Sequence, residues 1–196
     1  MELARSYQQA MRALSEQLGV KNDVSTAVLT RFPDVLTTCH ADVDEEQLWA
    51  DVSAVTAQAL DNFIAEHGLK PVMAVNTHGH FDHTLGVEHL KQRYGVPFAL
   101  SSKDRFLLDN AATSGSVFGV KIGAMPAADL DLDTLSEVRF GNTALRVIRT
   151  PGHTPGHVAL YEPDSKSLFT GDTLFRESIG RTDLPGGDYS WIMRSI

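Results

Sequence analysis

Cysteine is almost missing from these 196 residues: Cys39 stands alone, which excludes an internal disulfide and fits a reducing cytoplasm. It lies outside every motif and reads as an inert buried thiol. No apolar run is long enough to span a membrane, and the amino-terminal segment lacks the apolar centre of a signal peptide. Lysine and arginine form no cluster. There are 17 of them against 25 carboxylates, a formal charge of −8, and that balance argues against nucleic-acid binding as the main role. No repeat, low-complexity tract or linker divides the chain. Its length therefore predicts a single domain, residues 1–196, with a sizeable core.

What the chain does have is a dense set of metal-binding side chains. Thr77-His78-Gly79-His80-Phe81-Asp82-His83 places three imidazoles and a carboxylate within six consecutive positions. Neutral imidazole and carboxylate are the ligands that borderline divalent ions such as zinc and iron accept. A His-x-His pair on an extended segment points both rings to one side. The apolar run Val72-Met73-Ala74-Val75 just upstream reads as a buried strand. The cluster then sits at a strand's carboxyl end, where open α/β sheets place their sites.

Two further segments supply candidates. Pro151-Gly152-His153-Thr154-Pro155-Gly156-His157 puts two histidines into a Gly- and Pro-rich turn between strand-like residues 144–149 and 158–161. Such a turn fixes the backbone and permits close approach to a ligand. Leu168-Phe169-Thr170-Gly171-Asp172-Thr173 reads as a buried strand with a carboxylate at its tip.

In this order the three motifs resemble the metallo-β-lactamase-fold hydrolases, specifically the hydroxyacylglutathione hydrolase (glyoxalase II) type. The run Ile179-Gly180-Arg181-Thr182-Asp183-Leu184-Pro185-Gly186-Gly187 is similar to one in short bacterial members. The resemblance begins near Ala59 and implies an α/β fold, the αββα sandwich, with a two-metal site at one edge of the paired sheets. It further implies His78, His80 and His153 on a first metal, Asp82 and His83 on a second, and Asp172 bridging the two. Zinc is the expected ion, two per chain or one, and iron(II) is the alternative. Asp82 is the catalytic candidate, binding a metal and orienting the shared hydroxide. By the same resemblance Arg181 contacts the glutathione part of a small-molecule substrate. The residues themselves leave open a surface arginine paired with Asp183 or Glu177. His157 is outside the family's ligand pattern and reads as a structural histidine hydrogen-bonded near the turn.

Two metals sharing a water lower its pKa and hold it as hydroxide, and one of them polarises a carbonyl. The expected activity is hydrolysis of a thioester or related acyl bond. A mononuclear iron persulfide dioxygenase, needing only His78, His153 and Asp172, is the alternative on the same scaffold; the segment Ala74-Val75-Asn76-Thr77-His78 is similar to that group as well. A truncated, inactive homologue is the third reading.

The fold is expected to be incomplete at both ends. Family members continue to a Gly-His motif that completes the second metal site, and here no histidine follows His157. The family's early strands and Asp-Pro-Gly turn are also missing from residues 1–55. In their place are an amphipathic helix ending near Gly19 and a second helix over residues 44–66 closed by Gly68. Only residues 24–29 suit a strand. Further on, residues 84–94 predict a helix ended by Gly95, residues 96–100 a strand, and Gly141-Asn142 a hairpin turn. Residues 111–133, rich in Gly and Ala, read as a long loop or connector. A last helix is expected to begin near Asp188.

Overall fold

A computed structural model describes residues 57–117, 122–175 and 177–196. The expected first helix, the strand at 24–29, Cys39 and the first part of the second helix lie outside those residues. The chain divides into two compact units, residues 1–70 with 119–121, and residues 71–118 with 122–196. Of the first unit, residues 57–66 form a helix, α1. It closes as the sequence places it: Gly68 adopts φ +59° and the Leu69 N–H reaches the Ile64 carbonyl.

The second unit is built on two sheets. Strands β1 (Ala74–Val75), β2 (Phe98–Leu100) and β3 (Leu130–Asp131) form a parallel sheet in that order. Strands β4 (Glu137–Phe140), β5 (Thr143–Arg149), β6 (Val158–Glu162) and β7 (Ser167–Phe169) form an antiparallel one. A hairpin of β8 (Leu174–Phe175) and β9 (Ser178–Ile179) stands apart from both. Between the strands run α2 (Phe81–Thr84), α3 (Val87–Tyr94), α4 (Arg105–Asp109) and α5 (Ala111–Val117), and α6 (Tyr189–Ser195) follows β9.

The pleat of β2 explains how the layers meet. Phe98, Ala99 and Leu100 are all buried, but they serve two cores. Ala99 faces the second sheet and packs with Leu132, Val138, Leu145, Val147, Val158 and Leu160. Phe98 and Leu100 point the other way, onto Val87 of α3 and Leu108 of α4. Alternating side chains buried on both faces are what a covered parallel sheet requires. The result is helices, parallel sheet, antiparallel sheet.

Most turns fall where the sequence puts them. Gly95 ends α3 in the left-handed conformation, and Gly141-Asn142 joins β4 to β5. The Asp188 carboxylate accepts the Trp191 N–H at 3.0 Å and caps α6. Three expectations fail. Of residues 72–75, read as a buried strand, only Ala74–Val75 are strand, and Val72 is 49% exposed. Residues 168–170 are not a buried strand: among the described residues β7 is a sheet edge pairing only with β6, and Leu168 and Phe169 are 48% and 46% exposed. Residues 111–133 are not one long loop either. Helix α5 opens that stretch, carried by the helix propensity of its alanines, and β3 closes it as the third parallel strand. Two residues of strand are too few for periodicity to reveal.

Candidate metal centre

The chain delivers its candidate ligands from four segments. His78 and His80 leave the carboxyl end of β1, and the Thr77 carbonyl there accepts the Val158 N–H at 2.8 Å, tying this segment to the second sheet. Asp82 and His83 lie on α2. His153 and His157 occupy the turn between β5 and β6, and Asp172 the turn between β7 and β8.

These segments converge. His78, His80 and His153 each present a ring nitrogen within 4.8 Å of the others. Nitrogens 2.0–2.1 Å from one tetrahedral ion stand about 3.4 Å apart, so this spacing suits a shared cation. His78, His83 and Asp172 form a second such group. The Asp172 carboxylate lies between the two, with one oxygen 3.4 Å from His83 Nε2 and the other 3.6 Å from His153 Nε2. Asp82 approaches His83 Nε2 at 3.7 Å from a more exposed position and joins neither group of three.

The protonation pattern leaves lone pairs pointing inward. His153 Nδ1 lies 2.7 Å from the Arg181 carbonyl oxygen. A carbonyl only accepts, so the His153 proton is held on Nδ1 and Nε2 carries a lone pair towards His80 Nδ1, 2.9 Å away. His78 Nδ1 meets the Thr77 hydroxyl at 3.1 Å, while its Nε2 is buried with no hydrogen-bond partner. An unpartnered buried nitrogen is costly unless something unseen binds it. Burial, then the neighbouring imidazoles, hold His78 well below the ordinary histidine range. Burial first and His153 next push His80 down to about 4. Neutral rings are the form that binds a cation, so the donor set fits a borderline divalent metal.

His157 takes a supporting place. Its Nε2 accepts the backbone N–H of Asp172 at 3.0 Å, and its Nδ1 lies 2.9 Å from the Thr150 hydroxyl and 3.1 Å from that of Thr173. The Arg181 guanidinium grips Asp183 with two bonds of 2.8 and 2.7 Å. That pairing is the surface alternative the sequence left open; meanwhile the Arg181 backbone serves His153.

Sequence reasoning missed Asp104. This carboxylate is fully buried and accepts from the Gly79 N–H (3.0 Å), the Thr154 hydroxyl (2.7 Å) and the Gly156 N–H (2.7 Å). Burial pushes its carboxyl up, against the lowering effect of those three donors. The available signal was its place just after β2, the same strand-end position that marks His78.

Among the described residues no helix is long and apolar enough to cross a membrane. The family model for the Metallo-beta-lactamase superfamily matches residues 47–193. A second model, for the N-terminal region of YicC-like endoribonucleases, matches residues 1–67, where helices were expected in place of early strands. The chain is 35% identical over 142 residues to the hydroxyacylglutathione hydrolase GloC of Haemophilus influenzae, covering 71% of this chain and 67% of that one. The crystal structure of the B3 metallo-beta-lactamase BLEG-1 superposes with a TM-score of 0.67 at 37% identity, over 71% of this chain and 68% of that one. TTHA1623, solved in a di-iron-bound form, gives 0.64 at 34% identity over 70% and 68%. The paired sheets, the histidine and aspartate cluster at their edge and these likenesses agree: the chain belongs to the metallo-β-lactamase superfamily.

Proposed function

We propose that the protein is a metal-dependent hydrolase of thioesters, of the hydroxyacylglutathione type, working with two zinc ions. The observation that carries this reading is the convergence on Asp172. Its two carboxylate oxygens face ring nitrogens of the two groups, which share His78: His83 on one side and His153 on the other. His78, His80 and His153 would hold the first ion, Asp82 and His83 the second, with Asp172 between them. When bound, such ions acidify a water and polarise the scissile carbonyl.

The chain's own residues do the rest. His153 is fixed in one tautomer by the Arg181 carbonyl, so its lone pair is aimed before any ion arrives. The exposed Asp82 carboxylate beside His83 is placed to accept a proton from, and orient, the attacking water. The Arg181 charge adds a last, smallest lowering effect on His80, so it is felt within the cluster. Likeness to a named hydroxyacylglutathione hydrolase supports the thioester class. An iron dioxygenase would need only His78, His153 and Asp172, and the presence of His80 and His83 in the same cluster favours the two-metal hydrolase.

Elemental analysis of protein purified without added metal tests the centre, and S-lactoylglutathione hydrolysis before and after chelation tests the reaction. About two zinc ions per chain with chelator-sensitive hydrolysis is the expected result. One iron per chain with sulfite formed from glutathione persulfide would transfer the assignment to the dioxygenase. A chain that takes up no metal would be an inactive homologue.

A further inference from the structure

Asp104 lies outside every motif, yet its side chain touches both histidine motifs. It ends a short 3-10 turn, Ser102–Asp104, whose start is capped by the Ser101 hydroxyl accepting the Lys103 N–H at 3.3 Å. Ser101 is itself anchored by donating to Asp133 at 2.6 Å. From that fixed base Oδ2 accepts the N–H of Gly79, the residue between His78 and His80. The same oxygen accepts the hydroxyl of Thr154, next to His153, and Oδ1 accepts the N–H of Gly156. Two segments that meet only in the folded chain are thus held by one carboxylate.

The fit is close and specific to that group. A Cβ on Gly79 would stand 2.9 Å from the Asp104 carbonyl oxygen, and one on Gly156 would stand 2.7 Å from Oδ1. Both glycines therefore let the backbone come within hydrogen-bond reach. All three partners donate, so the site needs acceptors at both ends of the side chain. Asparagine has one acceptor end, and its NH2 would face a donor. A fully buried carboxylate persists only where such donors satisfy it.

We infer that Asp104 is a positioning residue that sets the separation of the His78–His80 segment from the His153 turn, and so the geometry of the first metal site. This rests on the metal-centre reading above. Cobalt(II) gives a direct readout, because its visible absorption follows the number and arrangement of its ligands while a chelator competition gives its affinity. Asp104→Asn and the milder Thr154→Val are compared with Val138→Ala, a core change in β4 outside both motifs. Expected is a 10- to 100-fold loss of cobalt affinity in Asp104→Asn, of the order seen when groups that orient metal ligands are removed. Its spectrum should be altered, with a smaller loss in Thr154→Val and none in Val138→Ala. Wild-type affinity and spectrum in Asp104→Asn would overturn the inference. So would an equal loss of affinity in Val138→Ala, which would make the effect one of general stability. If Asp104→Asn does not fold, Thr154→Val carries the test: an unchanged spectrum and affinity there overturn it. Failure of the unaltered chain to take up cobalt would be a different result, overturning the metal-centre reading itself.

Discussion

The imidazole of His157 accepts the backbone N–H of Asp172 at 3.0 Å, across two turns that are 15 residues apart in the chain. Asp172 belongs to one candidate group and its carboxylate also faces His153 of the other, so a histidine outside both groups fixes the backbone from which a candidate ligand is presented. His157→Ala removes that acceptor and the contacts to Thr150 and Thr173 in a fully buried site. We expect a loss of roughly 3 kcal/mol in denaturant unfolding of the chelated protein. Metal affinity should fall by about 10-fold or more in a competition titration. Unchanged affinity would mean the Asp172 turn holds its shape unaided.

Asp172→Ala should remove one ligand from each side of the cluster. The expected outcome is metal content well below that of the unaltered protein and no metal-dependent activity. Unchanged metal content by elemental analysis would show that this carboxylate is not a ligand. Burial pushes its carboxyl up, against His83 and His153, which lower it. A metal-free site is therefore poorly suited to a bare anion there, and truncation should cost the chelated chain little stability.

The acid response of the chelated protein follows from the histidines. Burial first, then His153, push the imidazole of His157 down to about 3, and His80 is held at about 4. In the unfolded chain both titrate near 6.5. Between those values the unfolded state binds protons that the folded state refuses, so unfolding free energy falls as pH falls. Above about 6.5 neither state is protonated there, and the full stability is present. Denaturant unfolding of the chelated protein between pH 7.5 and about 5 should show this slope. It should be shallower in His157→Gln, and the difference between the two profiles isolates this ring from the other titrating groups, which are common to both proteins. Parallel profiles would remove His157 as a source of acid sensitivity.

Much of this site was legible because metal chemistry restricts residue type and spacing. His78, His80, Asp82 and His83 sit in one short run, and their residue types are the ones divalent metals accept. The hairpin at Gly141 and the end of α3 at Gly95 were legible for a similar reason, since glycine marks backbone that few other residues adopt. The rest depended on tertiary context. Asp104 has no motif of its own, and its meaning lies in donors 25, 50 and 52 residues away. Leu168 and Phe169 look like core by composition and are exposed on the outer strand of the described sheet, because of strand order, which composition does not carry. The strand β3 is too short to show a period.

Arg181 and Asp183 make a test of substrate charge. The fork holds the Asp183 carboxyl down at about 2, so it stays ionised at any working pH and competes with a substrate carboxylate for the guanidinium. Arg181→Ala should raise KM for glutathione thioesters and leave small neutral thioesters unaffected. Asp183→Ala should do the reverse, lowering KM for glutathione thioesters by a few-fold and again sparing the neutral ones. Equal effects on both substrate types would make Arg181 a structural residue whose carbonyl, bonded to His153, is its contribution.

Gly152 offers the sharpest contrast in stability. It adopts φ +142° at the start of the His153 turn, and a Cβ there would lie 2.2 Å from the backbone nitrogen of Ile192. Ile192 is fully buried on α6, and the Asp188 N–H at the start of that helix donates to the Gly152 carbonyl at 2.8 Å. An alanine must therefore strain its own backbone and displace the helix, a combined cost of about 3–5 kcal/mol. Gly141→Ala is the matched control: its φ is +54°, nothing lies within 4 Å of the added carbon, and about 1 kcal/mol is expected. Denaturant unfolding of the two variants separates backbone strain from the close approach of α6 to the His153 turn. Equal losses would mean that α6 is not seated on Gly152. A much larger loss at Gly152, together with weaker metal binding, would mean that the helix carrying Ile192 supports the turn that carries His153.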